Sequence, residues 1–306
     1  MSGFLQFTLK IILSTEFIIG NLGNAFIVLV NIMDWVKRRK ISSVDLILTA
    51  LAISRTIFLL VLISSLWRPV PYSSLMIIGK MMRVLNIFFT VTNHFSLWLA
   101  TCLSIFYFLK IANFSNSFFL YLKWRVKKVV AVALLASLLI LFINIVIINT
   151  KTDAWIDNHK ANRSYNTVLN ISEQFCHLFL FPNTMFTLIP FFMSLVTFLL
   201  LIFSLWKHLK TMQHNTKGSR DANTMAHIKA LHTVVVFMLL YIIFFLSLLL
   251  QSWNNESVQK NLNILFFRVI GIAFPSAHSW VLLLGNNKLR QALFSVLWCM
   301  KYRPKI

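Results

Sequence analysis

Long apolar runs, each of about twenty residues or more, recur along the chain between short polar, basic breaks. A bilayer's hydrocarbon core is about 30 Å thick and takes about 20 apolar residues per helix. Inside it every backbone N–H and C=O must be bonded within the protein, which leaves the helix as the spanning form for runs of this length. Seven such runs are read, at residues 4–32, 44–67, 75–111, 126–148, 177–206, 232–251 and 262–284. Several exceed the minimum, which allows tilt. The third is broken at its outer end by Lys80, Arg83 and Asn86. The expected fold is an all-α integral membrane protein: a seven-transmembrane helix bundle over residues 1–284, then a short tail, 285–306, with an amphipathic helix.

Composition agrees with lipid as the solvent. Of 306 residues, 58% are hydrophobic and 12% charged, against about 45–50% and about 25% in soluble domains. Disorder, collagen and a disulfide scaffold are excluded, the last because there are three cysteines. A net charge of +21 on a polar chain would suggest nucleic acid. Here the basic residues stand between apolar runs, so they read as topology and as contact with anionic lipid, and no nucleic-acid partner is expected.

The basic residues also orient the bundle. Nineteen of the 29 Lys and Arg fall in alternate segments, including Lys37 to Lys40, Lys110 with Lys123 to Lys128, Lys207 to Lys229, and the tail. By the positive-inside rule that side is cytoplasmic, the N-terminus is outside and the C-terminus is in the cytoplasm. The sequons at Asn162, Asn170 and Asn255 fall in outward loops and are expected glycosylation sites, whereas the one at Asn113 falls inside and is expected to stay unmodified. No cleavable signal peptide is expected, the first apolar run being too long for one. Trp35, Trp67, Trp124, Trp206, Trp253 and Trp298 stand near span ends and suit the headgroup layer. Trp98 and Trp280 are mid-span and are expected to pack between helices.

Polar residues inside the runs are informative because they are costly there. Arg at a helix centre costs about 2.5–3.5 kcal/mol even on the lenient scale, and Arg55 lies eleven residues into the second run. Asn24 in the first run and Ser276, His278 and Ser279 in the seventh lie at compatible depths. A hydrogen-bonded node among helices one, two and seven is therefore expected, holding Arg55 through amides, hydroxyls and free carbonyls. It serves as a packing clasp or as an element that rearranges on activation, and the two roles are compatible. Pro190 and Pro275 each remove a backbone hydrogen bond inside a span and suggest a kink.

A small-molecule pocket is the second candidate. Phe89 and Asn93, four residues apart, share a face of the third helix, with Thr90 and His94 beside them. Phe186 on the fifth run, Tyr241, Phe244, Phe245 and Leu248 on the sixth, and Arg268 on the seventh complete aromatic walls with a few polar groups. An aromatic stripe alone is commonly helix packing. Asn93 and Arg268 favour a pocket, because polar groups at that depth require a partner or a water-filled cavity.

No catalytic pattern is present: no HExxH pair, no Gly-rich phosphate loop, no GxSxG and no carboxylate pair on one membrane helix. An enzyme is not expected, nor a cofactor or metal. No internal repeat joins two halves and no paired ionisable groups mark the midplane, which disfavours a transporter or channel.

Several blocks, in order, resemble the type 2 (bitter) taste receptor family over nearly the full length. They are Glu16, Gly20 and Asn24 with Asp34-Trp-Val-Lys-Arg38, and Leu51-Ala-Ile-Ser-Arg55. The run from Trp98 to Ser115 stands where rhodopsin-like receptors carry an acidic-arginine motif. Ile189-Pro-Phe191, Ser204 to His208, Ala226-His227, and Pro275 to Ser279 before Gly285 to Leu289 complete the match. The resemblance implies a plasma-membrane G protein-coupled receptor for bitter small molecules, signalling through gustducin-like heterotrimers to phospholipase C and calcium. It also implies that Phe89, Asn93, Tyr241 and Arg268 line the ligand pocket. Tyr107, Lys110, His208, His227 and Lys229 would then meet the G protein. Many members carry Trp where Phe89 stands, and the Arg268 position varies, so acidic agonists paired with Arg268 are an expectation specific to this chain. Another heptahelical chemoreceptor, such as a type 1 vomeronasal receptor, is the nearest alternative. Homo- or hetero-oligomers are left open.

Overall fold

The computed structural model describes residues 2–39, 41–64, 75–161, 168–215, 222–253 and 260–302. Among them the elements are helices: α1 (Ser2–Arg38), α2 (Ser43–Ser64), α3 (Leu75–Ile111), α4 (Ser117–Trp124), α5 (Val126–Ala161), α6 (Val168–Asn215), α7 (Ala222–Trp253), α8 (Lys260–Gly285) and α9 (Asn287–Tyr302). Six of them are long and apolar enough to cross a bilayer. The described apolar stretch of α7 is shorter, Val235–Leu250, but at 1.5 Å per residue its 32-residue helix is about 48 Å long. These seven are the spans expected from the sequence.

Their ends differ from the apolar runs. α5 continues to Ala161 and α6 extends from Val168 to Asn215, because a helix that leaves the bilayer needs no apolar side chains to go on bonding its own backbone. α4 was not evident from hydropathy. Its start is set by the Asn116 side chain, whose Oδ1 accepts from Phe118 N at 2.8 Å. Its Phe119 meets Phe108 and Phe114 edge to face, with centroids 5.5 and 5.1 Å apart, and Lys123 Nζ donates to the Ala112 carbonyl at 2.9 Å.

The helices close into a bundle: α1 packs on α2 and α8, α2 on α3, α3 on α5 and α6, α6 on α7, and α7 on α8. The most apolar window of α3 is 78% buried and that of α5 only 22%, so α3 is the central post and α5 a peripheral one. Accordingly α5 turns Val132, Leu135, Leu139 and Phe142 outward, an apolar surface that water would not tolerate over such a length and lipid does. Trp124 is 94% exposed, and Trp35, Trp206 and Trp298 are also exposed. Trp98 is buried and Trp280 Nε1 donates to the Ile19 carbonyl of α1 at 3.1 Å. Trp67 lies outside the described residues.

α9 is tied to the bundle end by Leu289, which is buried in the core, and by the charged Lys288. Lys288 Nζ lies 2.8 Å from Asp34 Oδ2, 3.2 Å from Asp45 Oδ2 and 3.2 Å from Asn31 Oδ1. The turn from α8 into α9 is fixed by Asn286 Oδ1, which accepts from Lys288 N at 3.0 Å.

Candidate ligand recess and buried polar node

Arg55 on α2 is fully buried. One guanidinium N–H is bonded to Nδ1 of His278 on α8, and the ring of Phe274, one turn earlier on α8, lies beneath it at 5.3 Å. A cation is thus held by an imidazole acceptor and a π face, not by the amides and hydroxyls expected. Those groups serve their own helices: Asn24 Nδ2 donates to the Gly20 carbonyl at 2.9 Å and Ser279 Oγ to the Ser276 carbonyl at 2.7 Å. Ser276 is instead a packing surface. A Cβ added to Gly20 would sit 2.8 Å from Ser276 Cβ, so glycine is what lets α1 approach α8.

Pro190 is not at this node. It lies on α6, and its carbonyl shares the Thr101 Oγ1–H of α3 with the Leu97 carbonyl, at 3.2 and 3.0 Å. The Thr101 hydroxyl is also 2.8 Å from Ser194 Oγ, so α3 and α6 are joined by hydroxyls beside Pro190.

Between the node and Pro190 lies an aromatic cluster. Phe191 of α6 stacks on Phe245 of α7 at 4.2 Å and meets Tyr241 edge-on at 5.4 Å. Tyr241 stacks on Phe274 at 5.2 Å, and Phe244 does so at 5.0 Å. Phe237 lies 4.1 Å from the His278 ring. A contiguous line of contacts therefore runs from Pro190 and Phe191 through Tyr241 and Phe274 to Arg55.

A recess opens on the other side of Pro190. Thr90, Asn93, His94, Leu97 and Trp98 line it from α3, Asn144 from α5, and Asn183, Phe186, Thr187 and Pro190 from α6. Its enclosed volume is about 10 Å³, room for about one water molecule and far below the roughly 300–1,000 Å³ of a drug-sized site. Asn144 Nδ2 donates to Asn183 Oδ1 at 3.0 Å, an amide pair across α5 and α6.

The expected pocket residues are thus divided. Thr90, Asn93, His94 and Phe186 meet in the recess. Tyr241, Phe244 and Leu248 are buried in the adjoining core. Phe89 faces α2, its ring 5.6 Å from that of Phe58, and Arg268 is half-buried on α8, partnered within the protein and outside the recess lining. Asn144 and Asn183 were not singled out from the sequence. The signal was there, since each is a lone amide in an apolar run, the criterion that picked out Asn93.

At the end of α3, Tyr107 is half-buried and Lys110 exposed. His208 lies in α6, and His227 and Lys229 in α7; their side chains, like that of Asn170 in α6, are outside the described residues, as are Asn162 and Asn255 entirely. Among the described residues there is no cluster of three or more His, Cys, Asp or Glu fit for a metal.

Comparison with known proteins gives one consistent result. The family model described as taste receptor protein (TAS2R) matches residues 1–301. Rat taste receptor type 2 member 140 is 58% identical over 293 residues, covering 96% of this chain and 94% of the relative. Mouse member 103 is 56% identical over 298 residues, 97% and 94% of the two chains. Human member 14 is 52% identical over 305 residues, 100% and 96%.

Proposed function

The chain belongs to the taste receptor type 2 family and is a multi-pass bitter taste receptor of the plasma membrane, and from that premise we propose that the recess between α3, α5 and α6 is where agonists anchor. As a member of that family it is a receptor rather than an enzyme, binds ligands and couples to a G protein. The observation that carries the anchoring site is the convergence of Thr90, Asn93, His94 and Asn144, buried polar side chains from two helices, on one recess. Buried polar groups in a membrane bundle are costly and mark ligand pathways.

The agonist meets Thr90, Asn93, His94 and Phe186 first, with Phe89, Tyr241, Phe244, Leu248 and Arg268 bounding the larger volume that opens as the helices part. A recess of this size favours an inactive-like packing, and an agonist that prefers the opened form shifts the population toward it. Displacement at Pro190 would reach Phe191, Tyr241 and Phe274 by direct contact, and so the Arg55–His278 node. The node, with Asn24, Ser276 and Ser279, and the Pro190 segment then act as the elements that rearrange.

The end of the bundle bearing Lys110 and Lys288 faces the cytoplasm and the N-terminus lies outside, which the basic-residue asymmetry supports. Tyr107, Lys110, His208, His227 and Lys229 form the G protein contact, the partner is gustducin-like, and the signal passes to phospholipase C and calcium. Residues 1–284 form the membrane domain and 285–306 the cytoplasmic tail. Asn162, Asn170 and Asn255 carry the glycans.

Calcium imaging of cells expressing Asn93→Ala or Tyr241→Ala at normal surface density tests the site. Loss of response to a panel of bitter agonists is expected from both. Full responses in both variants would remove the recess and the aromatic cluster from the agonist path.

A further inference from the structure

Four buried polar side chains converge on a space of one small molecule's size. Thr90, Asn93 and His94 of α3 and Asn144 of α5 line the recess at 1%, 4%, 8% and 4% exposure. Each carries an atom with no hydrogen-bond partner in the protein: Thr90 Oγ1, Asn93 Oδ1, His94 Nε2 and Asn144 Oδ1. A buried polar atom left unpaired is costly, and four around one space demand a shared partner. The two amide oxygens accept, the hydroxyl donates or accepts, and Nε2 takes either role according to its tautomer. The lining also carries N–H donors, on the Asn93 and Asn183 amides and the Trp98 indole. The partner must therefore both donate and accept. No Asp, Glu, Lys or Arg lines the space, so an ion would find no opposite charge there. The enclosed volume of about 10 Å³ is about that of one water and excludes any larger molecule.

We propose that the recess is the binding site of one buried water, which joins α3 to α5 and, through the Asn144–Asn183 pair, to α6. Water supplies two O–H for the Asn93 and Asn144 oxygens and a lone pair for the Thr90 hydroxyl, with His94 Nε2 as a further neighbour. Asn144 Nδ2 donates to Asn183 Oδ1 at 3.0 Å, which fixes the Asn144 amide and leaves its oxygen for the water. Three helices are thereby held at one point, and parting α3 from α5 breaks a bond to the water. The joint so restrains the closed bundle. That restraining role rests on the reading that agonists act by opening the recess, whereas the water site itself does not.

Radiolytic footprinting of the full-length receptor in lipid nanodiscs reads the site directly, because hydroxyl radicals formed from a bound water oxidise the side chains around it. Trp98, 3% exposed, lines the recess, whereas Phe274, 2% exposed, is not among its lining residues. After correction for intrinsic reactivity, Trp98 is expected to oxidise severalfold faster than Phe274. This is read on the wild-type receptor and so needs no variant to fold. Thr90→Val keeps the side-chain shape, removes the hydroxyl and tests the sign of its contribution. In a dry recess it removes an unsatisfied atom and raises the melting temperature; beside a bound water it removes a hydrogen bond and lowers it. A lower melting temperature with slower Trp98 oxidation is expected. Trp98 oxidation at the Phe274 rate, or a Thr90→Val receptor that melts at or above the wild-type temperature, overturns the proposal. Basal calcium signalling at matched surface density is expected to rise in Thr90→Val. If it is unchanged while both water readings hold, the water site stands and its restraining role is overturned.

Discussion

The guanidinium of Arg55 on α2 is hydrogen-bonded to the imidazole Nδ1 of His278 on α8, two residues 223 positions apart in the chain. The remaining Arg55 donors, Nε and Nη1, have no partner in the protein, so His278 is the acceptor on which this buried cation depends. Removing one partner of a buried polar pair costs more than removing both, because the survivor keeps its desolvation cost without compensation.

His278→Leu should therefore destabilise the receptor severely, by about 3–5 kcal/mol if it behaves as a broken buried pair. Arg55→Met combined with His278→Leu should recover much of that loss. Thermal melting of the purified receptor, with surface density in cells as a second reading, distinguishes the cases. A double variant as unstable as His278→Leu alone would show that the pair is not the coupled unit described.

The contact of α1 with α8 gives a cleaner comparison, between two glycines in helices. A Cβ at Gly20 would lie 2.8 Å from Ser276 Cβ and 3.0 Å from Leu59 Cδ1, whereas one at Gly271 meets nothing within 4 Å. Gly20→Ala is expected to lower stability by about 1–3 kcal/mol through overpacking. Gly271→Ala is expected to be neutral or to gain up to about 1 kcal/mol from helix propensity. Equal melting temperatures for the two variants would contradict this packing.

Much of this architecture was legible in the sequence because bilayer thickness and the cost of charge in lipid are strong constraints. They gave the seven spans and identified Arg55 and His278 as residues of one node. Helix ends were not legible, since α5 and α6 run on through polar residues. The face assignments on α3 were not legible either. Spacing alone joins Phe89 to Asn93, yet Phe89 packs on Phe58 while Asn93 lines the recess. α3 is enclosed on nearly every side, so no polar face marks which neighbour each residue meets. His278 as the direct acceptor was also hidden, because depth along a helix does not say which of several polar groups is spent on its own backbone.

Lys288 is the one side chain that joins α9 to both Asp34 of α1 and Asp45 of α2. These groups are partly exposed, so the ion pairs add little to global stability, but they hold the N-terminal turn of α9 in place. Lys288→Gln should leave the melting temperature within a few degrees while backbone hydrogen exchange in residues 287–292 accelerates severalfold. Unchanged exchange there would mean that the Asn286 cap and the buried Leu289 fix the helix without Lys288.

Arg268 offers a charge that the recess lacks. If acidic agonists pair with it, Arg268→Gln should weaken them about tenfold, the loss of one charge-assisted hydrogen-bonded contact, and leave neutral agonists of similar size unchanged. Concentration–response curves for matched acid and amide agonists make the comparison within one assay. Parallel shifts for both classes would assign Arg268 to structure instead of recognition.

The line from the recess to the node starts at one ring, Phe191, and runs on through two more. Phe191 follows Pro190 in α6, stacks on Phe245 at 4.2 Å and meets Tyr241 at 5.4 Å, and Tyr241 reaches Arg55 through Phe274. If displacement at Pro190 is passed on by this stack, Phe191→Leu should reduce the maximal calcium response while leaving agonist affinity nearly unchanged, because Leu fills much of the volume but cannot stack. Thr101→Val should act differently. It removes the hydroxyl that bonds the Pro190 carbonyl and Ser194, releases α6 from α3 at Pro190, and so should raise basal signalling without agonist. Opposite effects on maximal and basal signalling are the signature of a stack that transmits and a hydroxyl that restrains. Two variants that merely lowered surface density to the same degree would instead assign both residues to packing.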